Sequence, residues 1–394
     1  MHSRSFVLAA ASTILIATAA AADVPVNFAY RDAKGNIHDF HFDGKVWQKL
    51  QLNNGGMTAA PVAVSDPSAF AVGEASIFSF SFSGWDLPAD LRDFGYVGEN
   101  GDIHRIFHHG GKWAHETLNN AGVTSAPPAA GRVAATPVNR RQLTYTYRDK
   151  DGNIQHIASH EGIWHAYRLN NGGSTSASLA AGDPAVLEGK EGSLEVVYQD
   201  PAGGLQHLHW GHGGWKTEQL NLGGATEAPA AVGNPVLLQG REHQMHCAYR
   251  DINGNLQHIY SVQSKWSHDQ LNNGGTTAAP LAAADPAGTV RQDGQVDYVY
   301  RDQEGSLQHL FLKENRWGSE KLNEGGLSSA PFAARGPWIR QAAGSGGEAL
   351  QVFYLDGQGN LQHLSGPQGK WSSEVVNTGA HVTMALPAGG LNFY

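Results

Sequence analysis

One unit of about fifty residues recurs seven times along this chain, and no other property restricts its fold so tightly. Tyr stands at Tyr30, Tyr96, Tyr147, Tyr198, Tyr249, Tyr300 and Tyr354. Seventeen residues after each comes a Trp: Trp47, Trp113, Trp164, Trp215, Trp266, Trp317 and Trp371. Six residues further on is an Asn, from Asn53 through Asn119, Asn170, Asn221, Asn272 and Asn323 to Asn377. Successive Trp residues are 66, 51, 51, 51, 51 and 54 apart. A fixed period of roughly 20 to 50 residues is the mark of an array, and it is read before any local propensity.

Within each unit, short β-prone runs are separated by Gly, Asn and Asp, as in Tyr249-Arg-Asp-Ile-Asn-Gly254, and several units end in an Ala-Pro segment such as Ala279-Pro280-Leu281. A unit of this length holds four short strands, the content of a propeller blade. The spacing predicts an all-β fold, a closed seven-bladed β-propeller over residues 23–394. The chain starts in mid-unit before Tyr30 and ends on Ala385-Leu386-Pro387-Ala388, which resembles the Ala-Pro strand. The C-terminal strand is therefore expected to pair into the first blade and close the ring, removing the exposed edges of an open array. The longer first interval places an insertion at about 76–91, containing Trp85, and a smaller one lies near Gly344–Gly347.

The Asp-x-x-Gly turn after six of the seven Tyr, such as Asp251 to Gly254, suits a tight hairpin. Centring the hairpin there puts the residue three before each Tyr directly opposite the residue nine after it, on one face of the blade. The pairs are Asn27 with Asp39, Asp93 with Arg105, Thr144 with His156, Glu195 with His207, His246 with His258, Asp297 with His309, and Gln351 with His363. All are polar, beside apolar neighbours such as Ile154, Leu205 and Leu256. The row has two readings: paired structural groups that tie blade to blade, or the lining of pockets between blades. The repeated Trp likewise reads as core or as a stacking surface, whereas Tyr reads as core and Asn as turn former.

Composition narrows the setting. Residues 1–22 carry Arg4, an apolar run from Phe6 to Ala20 and small residues at the end, the pattern of a secretory signal peptide, so a secreted or periplasmic protein is expected, cleaved near Ala22. No later segment is apolar for the length a membrane span needs. The net charge of −9 without a basic run argues against nucleic acid. The single cysteine, Cys247, precludes an intramolecular disulfide and reads as a buried small hydrophobe. There is no Gly-x-Ser-x-Gly elbow and no phosphate loop. His160-Glu161 is followed by His165, one residue too far for a zinc-binding His-Glu-x-x-His. Neither metal nor cofactor is expected.

With Tyr-Arg-Asp-x-x-Gly-Asn-Leu-Gln-His, then Trp, then Ala-Pro-x-Ala-Ala, the sequence resembles the fucose-specific-lectin-like β-propeller family, the fungal fucose lectins and their bacterial relatives, over residues 24–394. The resemblance implies sugar sites between blades, built from an Arg, a Glu and stacking aromatic rings. On this chain the family's Arg falls at the position of Asp297 and its equivalents, and its Glu at that of His309; neither type is retained as a pair in any unit.

The expected function is a secreted, multivalent, non-catalytic carbohydrate-binding protein whose partners are glycans or glycoconjugates. Carbohydrate-binding candidates are His156, His207, His258, His309, His363, Glu195, His246, Asp297 and Gln351, with Trp164, Trp215, Trp266, Trp317 and Trp371. The alternatives are a protein-interaction propeller using the insertion near Trp85, and a propeller glycosidase or lyase.

Overall fold

The computed structural model describes residues 26–42, 47–71, 87, 90–139, 141–262, 265–341, 349–376 and 387–393. The signal peptide, Trp85 with most of the insertion, Gly344–Gly347 and Asn377 lie outside the described residues. The described chain forms seven four-stranded antiparallel sheets, six of them blades of four consecutive strands. Blade 5 is representative: an inner strand Ala231–Gln239, a second Met245–Asp251, a third Leu256–Val262 and an outer strand Lys265–Gln270. Blade 1 takes its inner strand from the C-terminus, where Pro387–Phe393 pairs with Val26–Asp32. This inner strand contacts those of blade 2, Ser68–Ala71, and blade 7, Trp338–Gln341, so the inner strands run round in an unbroken cycle. The Ala-Pro segments mostly precede the inner strands, with isolated bridges such as Ala282 to Asp302.

The core is seven wedges, one at each blade interface. Leu237, Met245, Cys247, Tyr249 and Ile259 of blade 5 pack on Val197, Leu205 and Leu220 of blade 4. Phe28, Tyr30 and Phe40 of blade 1 meet Phe353, Leu355 and Leu361 of blade 7, so the closing interface is as apolar as the rest. Burying each such side chain contributes roughly 1.5–3 kcal/mol. Cys247 is fully buried in its wedge, as a small hydrophobe should be.

The recurrent Tyr and Asn converge on one acceptor. Asn221 Oδ1 accepts from Leu205 N at 2.7 Å, while its Nδ2 donates to Pro229 O at 2.9 Å. Tyr249 of the next blade donates its hydroxyl to the same Pro229 oxygen at 2.7 Å. Pro127, Pro280 and Pro331 carbonyls receive the same two donors. Spacing between Asn, Pro and the next Tyr is thereby fixed by hydrogen bonding across these interfaces.

The hairpin register differs from expectation. Asp251 N donates to Asn255 O, and Gly254 N to Asp251 O, so the loop is Ile252-Asn253-Gly254 with Gly254 at φ +83°. This three-residue loop with a left-handed glycine moves the hairpin centre on by one residue and every partner by two. Directly opposite Glu195 is His209, and opposite His207 is Val197. Likewise His246 faces Tyr260, Asp297 faces Phe311 and Gln351 faces Ser365. An even shift keeps side chains on the same face. The expected pairs are thus diagonal neighbours, and in blades 2, 4, 5 and 6 they still touch.

Candidate functional site

In blade 4, His207 lies between two carboxylates, Nε2 2.8 Å from Glu195 Oε2 and Nδ1 3.0 Å from Glu218 Oε1. Trp266 of blade 5 donates its indole N–H to the same Glu218 oxygen at 3.1 Å. Burial disfavours the imidazolium, but the two carboxylates outweigh it and raise the His207 pKa. Burial alone would raise the Glu195 pKa; His207 and His209 hold it below the usual carboxylate value.

Blade 6 repeats the arrangement in a sealed form. His309, fully buried, lies 2.8 Å from both Asp297 and Glu320, and Trp371 donates to Glu320 at 2.9 Å. Arg291 completes it, donating to both Asp297 oxygens at 2.7 and 2.8 Å. Blade 2 substitutes a guanidinium for the imidazole: Arg105 donates to Asp93 and Glu116 at 2.6 Å each, beneath the Trp164 ring. Tyr145 of blade 3 donates its hydroxyl to Asp93.

Blade 5 has His246 and His258 in contact at 3.0 Å with stacked rings, and Trp317 edge-on to His258. Burial depresses both pKa values, that of His246 to about 4. In blade 7, His363 stacks on Phe353 and lies 2.8 Å from Glu374; Gln351 is buried nearby on the second strand. The structural reading of the His row accordingly holds at these interfaces, with His258 and His309 out of solvent reach.

Open clefts flank blade 4 on either side. The first, between blades 3 and 4, has a volume of about 400 Å³ and is walled by His156, His165 and Tyr167 against Trp210 and Trp215. Thr144, Gln142 and Ser174 supply hydroxyl and amide groups, and among the described residues no carboxylate, Lys or Arg enters the lining. His156 lies 2.9 Å from Thr146 Oγ1 and edge-on to Trp215, and burial lowers its pKa to about 4. A neutral imidazole beside aromatic faces suits an uncharged polyol ligand.

The second cleft, between blades 4 and 5, is about 1190 Å³ and takes in Glu195, His207, His209, Glu218 and Trp266. Its openness has a local cause. Arg291 stands six residues before Asp297, and the residue six before Glu195 is Gly189. The acid-filling guanidinium is missing, and the Glu195 side chain is 12% exposed where that of Asp297 is 0%.

Of the expected candidates, His156, His207, Glu195, Trp215 and Trp266 line open clefts. His246, His258, Asp297, His309 and Trp371 are buried among their own partners, and Trp164 and Trp317 are half-buried against the preceding blade. The expectation missed the outer-strand acids Glu116, Glu218, Glu320 and Glu374, although each stands three residues after its Trp. It also missed Trp210, Tyr167 and His165. Among the described residues no group of three His, Cys, Asp or Glu is placed to hold a metal ion, and no helix is long and apolar enough to cross a membrane.

No family model and no curated protein matches the chain. Among solved structures it is similar to a lectin of Burkholderia pseudomallei, with 15% identity, a TM-score of 0.62, and 89% of this chain and 94% of that one covered. A fungal lectin of Aleuria aurantia, described as a six-bladed β-propeller with a fucose recognition mode, aligns at 14% identity and a TM-score of 0.47, over 82% of this chain and 97% of that one. The chain thus shares the β-propeller fold of the Burkholderia lectin, with seven blades of its own.

Proposed function

We propose that the protein is an exported, non-catalytic carbohydrate-binding protein that takes glycans in the clefts flanking blade 4. The observation that carries this reading is the cleft between blades 3 and 4. Exposed aromatic faces stand there beside neutral hydrogen-bonding groups, the combination that covers the apolar face of a pyranose while meeting its hydroxyls. The Burkholderia pseudomallei protein that shares this fold is a lectin, which favours the same reading. The sevenfold multivalency suggested by the repeat narrows, because most interfaces fill their own polar positions.

The test is a glycan-array screen of labelled residues 23–394, with binding competed by free monosaccharide. Tyr167→Ala and His156→Ala should each weaken competed binding by about tenfold or more, the equivalent of 1.4 kcal/mol. Binding that saturates unchanged in both variants would place the sugar elsewhere, and a blank array on folded protein would reject the reading.

A further inference from the structure

We infer that the two clefts are the arms of one extended site for a linear, neutral oligosaccharide, joined over Trp210; the inference rests on the carbohydrate reading above. Trp210 lines both clefts. Their walls are also consecutive in sequence: Val138 belongs to one and Asn139 to the other, and Leu194 of the first lies between Ser193 and Glu195 of the second. Neighbouring strand residues point to opposite faces, so the clefts lie on the two faces of blade 4 and meet over its edge, where Trp210 lines both.

Trp210 itself breaks the repeat. The corresponding residues, twelve after each of the other Tyr, are Phe42, His108, Ser159, Ser261, Leu312 and Gly366 in blades 1, 2, 3, 5, 6 and 7, so an indole stands there in blade 4 alone. Residues that hold the blades together recur around the ring, and Trp210 does not. It is 37% exposed near the end of the hairpin formed by Leu205–Gly211 and Gly214–Gln219, directly paired with Trp215. Two adjacent indoles on one face make a platform longer than one pyranose ring needs. A large exposed aromatic at a cleft junction, with no architectural duty, is a contact surface.

The chemistry of the arms selects the ligand class. Among the described residues the aromatic arm holds no Lys or Arg to receive an acidic sugar. In the other arm Glu191, Glu195, Glu218 and Glu242 outnumber Lys190 and Lys216. Its carboxylates accept hydroxyl protons and repel uronic or sialic acids. A chain that stacks on Trp215 and Trp210 and then presents hydroxyls to Glu195 and Glu218 satisfies both arms at once.

The test measures affinities of glucose, mannose and N-acetylglucosamine and of their β-1,4-linked oligomers up to four units by isothermal titration, with oligogalacturonate as the acidic control. For at least one series affinity should rise roughly ten- to hundredfold from monomer to tetramer, and oligogalacturonate should not bind. Trp210→Ala should bring the tetramer-to-monomer ratio close to one. A second variant refills only the acidic arm: Gly189→Arg places a guanidinium where blade 6 has Arg291; the new Cβ would meet the Ser193 hydroxyl, which Ser193→Gly removes, and the end of the Glu195 side chain, which must swing aside to pair with the guanidinium. Gly189 has φ −94°, open to Arg. This pair should also flatten the ratio. Equal affinity for monomer and tetramer, or tight binding of oligogalacturonate, would overturn the extended neutral site while leaving the carbohydrate reading standing. Absence of binding by every probe would overturn both.

Discussion

Replacing His156 by Gln should remove much of the protein's sensitivity to mild acid. His156 is 6% exposed, and burial lowers its pKa from 6.5 to about 4. Between those values the unfolded chain binds a proton that the folded chain refuses. The neutral ring therefore contributes stability that is fully present above about pH 6.5 and is lost as pH falls toward 4. At about 1.4 kcal/mol per pH unit, the whole window is worth about 3 kcal/mol, and the part lost by about pH 5 is about 2 kcal/mol. Gln keeps one group for Thr146 and cannot titrate. Urea unfolding followed by Trp fluorescence at about pH 7 and 5 should show wild type losing about 2 kcal/mol more than His156→Gln. The substitution's own packing cost displaces both points equally, so only the difference between pH values is informative. His246 and His258 titrate in the same direction as His156 and remain in both proteins. His207 and His309 titrate oppositely, their raised pKa values adding stability below about pH 6.5 that disappears as pH rises through them. Equal losses in wild type and variant would refute the claim that burial holds His156 neutral.

His309→Leu should destabilise the protein by roughly 3 kcal/mol in urea titration, because it strips a buried partner from Asp297 and Glu320, while leaving glycan competition unaltered. Tyr249→Phe should cost only about 1 kcal/mol by the same assay, since Asn221 still donates to the Pro229 carbonyl. Truncation before Pro387 should expose the edge of Val26–Asp32 and uncouple blade 1, read as concentration-dependent association in analytical ultracentrifugation. A truncated chain that stays monomeric and as heat-stable as the parent would mean that closure contributes little.

Architecture was legible because it is repeated. Tyr, Trp and Asn keep constant separations, and the structure supplies the cause: Asn221 and Tyr249 must reach one carbonyl, at Pro229, from two blades. Register was not legible to the residue, because the sequence Asp251-Ile-Asn-Gly254 serves a four-residue turn or a three-residue loop closed by Asn255, and only the backbone decides. The face survived because the error was even. The candidate clefts are legible in part: His156 and His207 stand out in the sequence as members of the third-strand row, whereas the acids three residues after Trp113, Trp215, Trp317 and Trp371 are masked by the recurrence of the Trp itself. Trp210 was hidden for a deeper reason. A search for recurrence sets aside whatever occurs once, and the open clefts differ from their sealed counterparts mainly in residues that occur once.

Blades 4 and 6 make that difference concrete. Each surrounds a His with two acids and sends a Trp from the following blade to the outer one. In blade 6 the inner acid is Asp297, short enough to withdraw its charge fully into the interface. A carboxylate so buried needs more than one partner, and Arg291 provides the second with two hydrogen bonds. Blade 4 carries Glu195, one methylene longer, and its carboxylate reaches toward the cleft, where His209 and Ser193 take the place of a guanidinium. With solvent paying part of the desolvation, Gly189 suffices where blade 6 requires Arg291. Packing alone gives no reason to hold Glu195, His207 and an exposed indole around an unfilled volume when the same scaffold fills the equivalent volume two blades away. A ligand that supplies hydroxyls to Glu195 and Glu218 and a ring to Trp210 accounts for all three.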